Sequence, residues 1–239
     1  MKQNEKVIGR RLKEVPTINK LPYPIYDMLE KLSSKWEYIL TEGIFRVPGN
    51  MTDIIAIKKR YENGESVNFT NVQISTVASL LKNYLKEIPG ALVDNENKDL
   101  FNVTISMFEM DNSLKDLVTK NIKDALSFLP LLNYITLKHI IFHLHLIAQY
   151  SQFNLMDSNN LATVFAPVLF SLSIEELMNN KNYAIVTIKF LIDNYNDVFT
   201  INNKLMDGSY LEPCDYQVPF GKCPKELLHL SDNNPQSIH

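Results

Sequence analysis

Apolar residues recur along most of this chain at the three- and four-residue spacing of an α-helix. In residues 75–88 they follow the i, i+3, i+4, i+7 rule, and Pro89-Gly90 predicts the end of that helix. Its apolar positions are Val77, Leu80, Leu81, Tyr84, Leu85 and Ile88. Lys82 and Lys86 then fall one turn apart on the opposite flank.

Two other stretches carry clear helix signals. A helix from Met51 to about Tyr61 has Asn50 as its candidate N-cap and Asp53 in its first turn, where the helix dipole favours a negative charge. Residues 131–150 are apolar around most of the helix circumference, which predicts the central and most buried helix.

The C-terminal half adds two more predicted helices. Asp157 or Ser158 is the candidate N-cap of a helix that runs through Leu169, and residues 181–198 predict another. Few stretches alternate as strands do, and no internal repeat is present. The pattern therefore predicts an all-α domain of about eight or nine helices.

Length and composition set the size of the domain. With 239 residues and 45% apolar content, the chain can bury one substantial core. From about residue 200, glycine and proline interrupt the pattern, and periodicity fades. We expect residues 200–239 to form an irregular or partly disordered tail, with Tyr210, Tyr216 and Phe220 able to hold part of it on the domain surface.

Charge, cysteine content and hydropathy bear on which partners, metals and compartments are expected. A formal net charge of −3 gives no overall field that would attract nucleic acid or an anionic membrane. Cys214 and Cys223 lack the paired spacing of a zinc site and suggest reduced thiols in a cytoplasmic protein. The N-terminus has no apolar signal region, and no run of about 18 apolar residues predicts membrane insertion.

The sequence Thr-Glu-Gly-Ile-Phe-Arg-Val-Pro-Gly at residues 41–49 holds the strongest candidate for chemistry. Arg46 is one of only four arginines, against twenty lysines. The apolar pair before it can anchor the backbone, and the glycines and proline favour a tight loop from which the guanidinium projects. The alternative is a structural arginine that pairs with a carboxylate of its own domain.

Two further segments follow in order. Residues 80–92 read Leu-Leu-Lys-Asn-Tyr-Leu-Lys-Glu-Ile-Pro-Gly-Ala-Leu, and residues 159–169 read Asn-Asn-Leu-Ala-Thr-Val-Phe-Ala-Pro-Val-Leu. Together with Gly-Ile-Phe-Arg they resemble the three motif blocks of the Rho GTPase-activating (RhoGAP) domain. The resemblance covers roughly residues 7–199 and implies a helical domain that accelerates GTP hydrolysis on a Rho, Rac or Cdc42-type small GTPase.

The resemblance implies a role for each matching residue. Arg46 stands at the arginine-finger position, which meets the negative charge of the transition state. Lys82 and Lys86 match basic residues that support the finger loop and contact the GTPase, although the family more often has arginine at the second position. Lysine there keeps the charge but loses the bidentate fork. The alternative for both lysines is a solvated helix face.

A third group lies in the last motif block. Asn160 matches an asparagine at the GTPase contact surface, and its amide can donate and accept hydrogen bonds at once. Its alternative is a capping role, for which Asn159 is the better candidate. Thr163 and Pro167, near the same face, are predicted to add apolar contact.

Other chemistries have weaker signals. His139 and His143 lie one turn apart, but no glutamate accompanies them as in a zinc-protease motif, and His145 points elsewhere, so no metal site is predicted. The chain has no phosphate-binding glycine-rich loop, so we expect no nucleotide or other cofactor of its own. GTP and Mg²⁺ would be carried by the partner.

The resulting expectation is a monomeric activator that acts in trans on a GTP-bound Rho-family GTPase and is no enzyme by itself. Its place would be the cytoplasm, with recruitment to membranes through the partner. Two rival interpretations are a binding module of the same fold without catalysis and a helical scaffold unrelated to GTPases.

Overall fold

A computed structural model describes residues 7–170, 172, 175–176 and 183–199, and most of these residues lie in helices. The helices, in chain order, are α1 (Tyr23–Leu32), α2 (Trp36–Ile39), α3 (Met51–Glu62), α4 (Ile74–Lys86), α5 (Asn95–Met110), α6 (Lys115–Ser127), α7 (Leu131–Ala148), α8 (Ser151–Asn154), α9 (Ser158–Leu169), α10 (Tyr183–Asp193) and α11 (Tyr195–Val198). Eight of these have ten or more residues, and α2, α8 and α11 have four. The predicted all-α class is confirmed.

The remaining regular elements are short. Two 3₁₀ turns occupy Leu12–Glu14 and Asn112–Leu114. Strands β1 (Thr17–Ile18) and β2 (Leu21–Pro22) form one antiparallel pair just before α1.

Side-chain caps set the start of α3 and α9. The Asn50 side chain accepts hydrogen bonds from the backbone N–H groups of Thr52 at 2.9 Å and Asp53 at 3.3 Å, which confirms the predicted N-cap of α3. At α9, Asp157 accepts from the Asn160 N–H at 2.7 Å. The cap of α9 is therefore Asp157, which confirms one of the two predicted candidates, and neither Asn159 nor Asn160 caps this helix.

Helix α7 is the centre of the core, as its apolar circumference predicts. It packs against α9 and α10, and most of its residues are buried. By length and composition α7 is apolar enough to cross a bilayer, but 61% of it is buried inside the protein. That burial is typical of a core helix.

One part of the chain differs from the sequence-based expectation. The single helix predicted for 181–198 is divided, within the described residues, into α10 and α11 at Asn194. The Asn194 side chain donates to the Phe190 carbonyl at 2.9 Å, a local bond that competes with continuation of the helix. The predicted tail, residues 200–239, lies outside the described residues.

Helices α4 and α9 support the connection between α2 and α3. Helix α4 packs against α1, α3 and α9, and its buried face fills the core between them. The connection, residues 41–50, lies against α4 and α9 through the contacts described next. We call it the Arg46 loop.

Candidate functional site

Backbone hydrogen bonds give the Arg46 loop a fixed shape. The N–H groups of Arg46 and Val47 both donate to the Gly43 carbonyl at 2.8 Å, and the Gly43 N–H donates to the Asn154 carbonyl at 2.7 Å. Gly43 has a φ of 64° and Phe45 a φ of 69°, both in the left-handed region. For a bulky residue such as phenylalanine this conformation is uncommon and costs free energy.

Burial of the Phe45 ring holds that strained backbone in place. The ring is fully buried and lies edge-on against Phe165, with centroids 4.8 Å apart, and against His143 at 6.3 Å. Ile44 is buried beside it. The residue that precedes Arg46 is therefore part of the hydrophobic core, and strain that is retained by its surroundings is a common feature of functional sites.

The Arg46 side chain, in contrast, is exposed. Among the described residues its guanidinium has neither a carboxylate nor a hydrogen-bond partner. Arg60, at the other end of α3, shows what a structural arginine does here: it lies 3.4 Å from a Glu65 carboxylate oxygen and donates to the Ser66 carbonyl at 2.6 Å. The geometry therefore does not support a structural ion pair for Arg46.

One face of α4 supports the Arg46 loop. The Lys82 ammonium donates to the Phe45 carbonyl, immediately before Arg46. Lys82 is half-buried, and burial lowers the pKa of its ammonium. One turn earlier on that face, the Ser79 hydroxyl accepts from the Gly49 N–H at 2.9 Å. Two side chains of α4 thus bond to the loop backbone on either side of Arg46.

The end of the loop lies unusually close to the α4 backbone. The Asn50 N–H donates to the Thr76 hydroxyl at 3.0 Å. A Cβ atom added at Gly49 would lie 2.3 Å from Thr76 Cα and 2.7 Å from its nitrogen. Only glycine fits this approach, which is the structural reason for the second glycine of the motif.

Lys86 is placed differently from Lys82. It lies one turn further along the same face but is exposed, and within the described part of the chain it makes no hydrogen bond to the Arg46 loop. Its neighbour Glu87 pairs with Lys58 of α3 at 2.5 Å. Of the two predicted lysines, only Lys82 contacts the loop, and Lys86 is free to meet another molecule.

The three predicted residues of α9 share one outward flank. Asn160, Thr163 and Pro167 follow the i, i+3, i+7 spacing, opposite the buried Leu161 and Phe165. The Asn160 amide donates to the Leu155 carbonyl at 3.2 Å, and the Thr163 hydroxyl donates to the Asn159 carbonyl at 2.9 Å. Neither makes a described hydrogen bond to the Arg46 loop. Pro167, inside the helix, has no N–H to donate.

Asn154 is a structural residue that the sequence did not indicate. Its fully buried amide donates to the carbonyls of Ile39 at 3.0 Å and Ile147 at 2.9 Å, and its side-chain oxygen accepts from the Met156 N–H at 2.8 Å. Its own carbonyl receives the Gly43 N–H. Asn154 thus joins α2, α7 and the start of α9 to the Arg46 loop. No local pattern signals such a role, because Ile39 lies 115 residues away and Gly43 is similarly distant in sequence.

The histidines of α7 have separate environments. His143 is buried, shares a hydrogen bond of 3.1 Å with the Ser33 hydroxyl, and has its pKa lowered to about 4 by burial. His145 donates through Nδ1 to the Ile192 carbonyl at 2.7 Å, so its Nε2 accepts from Gln149 at 2.9 Å. No group of three metal-ligating side chains occurs among the described residues.

Comparisons with known proteins agree with this architecture. The family model of the RhoGAP domain matches residues 22–174. The chain is 33% identical over 188 residues to the human T-cell activation Rho GTPase-activating protein, covering 76% of this chain and 25% of that protein. It is 31% identical over 237 residues to Rho GTPase-activating protein 20 of Rattus norvegicus, covering 97% of this chain and 19% of the relative. The chain thus spans a quarter or less of the length of these relatives.

Solved structures show the same fold. The crystal structure of human Rho GTPase activating protein 15 superposes with a TM-score of 0.72 at 22% identity, covering 82% of this chain and 93% of that one. The BH domain of Graf, the GTPase regulator associated with focal adhesion kinase, gives a TM-score of 0.63 at 25% identity over 74% of this chain and 92% of that one. The chain belongs to the RhoGAP domain family.

Proposed function

We propose that this chain accelerates GTP hydrolysis by a Rho, Rac or Cdc42-type small GTPase and that Arg46 acts in trans as an arginine finger. The observation that carries the proposal is the contrast between Arg46 and its surroundings. The Arg46 guanidinium is exposed and has no partner within the described part of the chain. The residue before it, Phe45, is buried, and the loop backbone on both sides is hydrogen-bonded. A group so held can enter a partner's site without reorganising the loop that carries it.

The chemistry suits arginine. In phosphoryl transfer, negative charge develops on the transferring phosphoryl group and the leaving oxygen, and a permanently charged planar fork can stabilise it. Arginine fingers raise the rate by about 10³–10⁵, which corresponds to roughly 4–7 kcal/mol of barrier. The partner supplies GTP, Mg²⁺ and the residue that orients the attacking water, so this chain needs no cofactor or nucleotide site of its own.

The other site residues have supporting roles in this proposal. Lys82 holds the Phe45 carbonyl and hence the backbone at Arg46. Lys86 and the flank of Asn160, Thr163 and Pro167 face outward on either side of the loop and contact the GTP-bound partner. The domain comprises residues 7–199, is monomeric alone and works in the cytoplasm, where the partner recruits it to membranes.

A single-turnover hydrolysis assay tests the proposal. Purified Rho, Rac, Cdc42 and, as a control, Ras-type GTPases are loaded with GTP, and the rate of phosphate release is followed with and without this chain. We expect acceleration of at least one Rho-family member and none of the Ras-type control. Binding to a GTP-loaded GTPase without acceleration would indicate the binding module instead. Neither binding nor acceleration across the panel would indicate an unrelated scaffold.

A further inference from the structure

Three apolar side chains next to Arg46 face solvent. Val47 is 47% exposed, Met51 62% and Ile55 61%. They follow one another at intervals of four residues, from the Arg46 loop into the first two turns of α3. We call Val47, Met51 and Ile55 the apolar strip. Single exposed apolar residues are ordinary, but a contiguous row beside a functional group marks an interaction surface.

The apolar strip is not needed for the core. Helix α3 already buries Ile54, Ile57 and Tyr61 on its inner face. Met51 and Ile55 lie on the flank beside that face, where a surface helix of a soluble domain carries polar residues. Folding alone therefore does not account for apolar side chains at these positions.

The apolar strip is continuous with the site around Arg46. Its first member is the residue after Arg46, and the same flank of α3 continues from Ile55 to Lys58 three residues later. Lys58 pairs with Glu87, the residue after Lys86, at 2.5 Å. The strip thus extends from Arg46 along the side of α3 that faces the Lys86 end of α4.

We propose that the apolar strip is a docking surface for apolar side chains that a GTP-bound small GTPase presents beside its nucleotide. This inference rests on the proposed function and assigns affinity and catalytic rate to different residues. The exposed charges of Arg46 and Lys86 suit phosphates and carboxylates, whereas the strip carries no charge and matches an apolar patch. A few well-packed, desolvated contacts near the centre of an interface provide most of its affinity. The strip adds affinity to the polar contacts of the site without changing the maximal rate, which Arg46 sets.

A matched pair of double variants tests this division. Met51→Ala with Ile55→Ala truncates the strip, while Val47 is left unchanged because its methyl group lies against Gly43 in the loop. The control is Val103→Ala with Met110→Ala on α5, whose side chains are 66% and 88% exposed and which packs against α6 and α10. Alanine favours the helix in both cases. Single-turnover rates are measured against chain concentration with the GTPase that the wild type stimulates best.

For the strip variant, we expect the chain concentration that gives half-maximal stimulation to rise at least about tenfold, with the maximal rate unchanged. We expect the α5 variant to match the wild type in both quantities. Equal half-maximal concentrations for all three proteins would overturn the inference while leaving the proposed function intact. A wild type that stimulates no GTPase would overturn the proposed function. A wild-type dimer that the strip variant converts to a monomer, seen by sedimentation, would show that a second copy covers the strip and would also overturn the inference.

Discussion

The ring of Phe45 meets the ring of Phe165 edge-on, with centroids 4.8 Å apart and planes at 79°. This contact fixes the residue before Arg46 to α9, the helix that carries Asn160. Phe45 holds a left-handed φ of 69° within the core, so the position of Arg46 depends on packing between helices and not on the loop alone. Such support matters because a catalytic group must be held within about 0.5 Å of its productive position.

We expect Arg46→Ala to lower the maximal rate of stimulated GTP hydrolysis at least about a hundredfold and to leave the affinity for the GTP-bound partner nearly unchanged. An arginine finger of the proposed kind acts mainly in the transition state, so docking should not depend on Arg46. Arg46→Lys should restore little, because an ammonium cannot form the planar fork. Single-turnover hydrolysis and direct binding to the GTPase measure the two effects.

Arg60→Ala is the control for this prediction, since Arg60 is also exposed but paired with Glu65. The Arg60→Ala variant should stimulate GTP hydrolysis by the partner at the wild-type rate. If Arg46→Ala also kept that rate, the assignment of the finger would be wrong.

Replacement of Gly49 tests whether the close approach of the Arg46 loop to α4 is needed. A Cβ at Gly49 would lie 2.3 Å from Thr76 Cα, so Gly49→Ala must displace the loop and break its bond to Ser79. We expect a stability loss of about 1–3 kcal/mol and a rate lowered at least about tenfold. Gly90→Ala is the control, because its Cβ would meet nothing within 4 Å, although its φ of 83° strains alanine. Full activity in the Gly49→Ala protein would mean that the loop position is not critical.

Removal of the Lys82 ammonium tests its bond to the Phe45 carbonyl. Lys82→Met keeps the buried stem but leaves the carbonyl unbound, so the backbone at Arg46 loosens. We expect both the affinity and the maximal rate to fall, and the loss to be non-additive with Asn160→Ala if the two residues serve one interface. Circular dichroism checks the fold, and Lys120→Met on the exposed side of α6 is the control. Unchanged rate and affinity in both single variants would remove Lys82 and Asn160 from the site.

The sequence was sufficient for the parts of the fold that rest on local signals. The helix from Met51 begins at its predicted cap because Asn50 needs only the N–H groups of the next turn. The central helix follows from its apolar circumference. The spacing of Lys82 and Lys86 put both on one face of α4, which the structure also shows.

The remaining features depend on residues that meet only in the folded chain. The Asn154 amide bonds to Ile39, 115 residues earlier, and no pattern in the sequence predicts that contact. The sequence likewise does not predict that the Phe45 ring packs between His143 of α7 and Phe165 of α9. Ser79 could have been found, since it lies three residues before Lys82 on the same face and has a hydroxyl to accept a hydrogen bond.

The buried His143 predicts loss of stability in acid. Its pKa lies near 4 in the folded protein, below its ordinary value of 6.5, so the unfolded chain takes up the proton first. Above pH 6.5 this difference costs no stability. As the pH drops toward 4, protonation of the unfolded chain lowers the free energy of unfolding, by about 2 kcal/mol at pH 5. Between pH 7 and pH 5, the free energy of unfolding of the His143→Gln variant should fall less than that of the wild type, as measured by urea unfolding. Parallel curves for the two proteins would contradict the prediction.

Lys86 provides the clearest test of a charge contact with the partner, because it is exposed and bonds to nothing in the described loop. If Lys86 meets a carboxylate of the GTPase, arginine at this position should hold or raise catalytic efficiency, by about 1 kcal/mol where a bidentate pair forms. Lys86→Ala should lower the efficiency at low salt, and the loss should shrink at high salt as screening removes the advantage of the wild type. Lys120→Ala, on α6, controls for the general effect of removing a surface charge. If lysine at 86 only solvates the helix face, the three residues at this position will give the same efficiency at every ionic strength, and the role implied by the family motif will not hold for this chain.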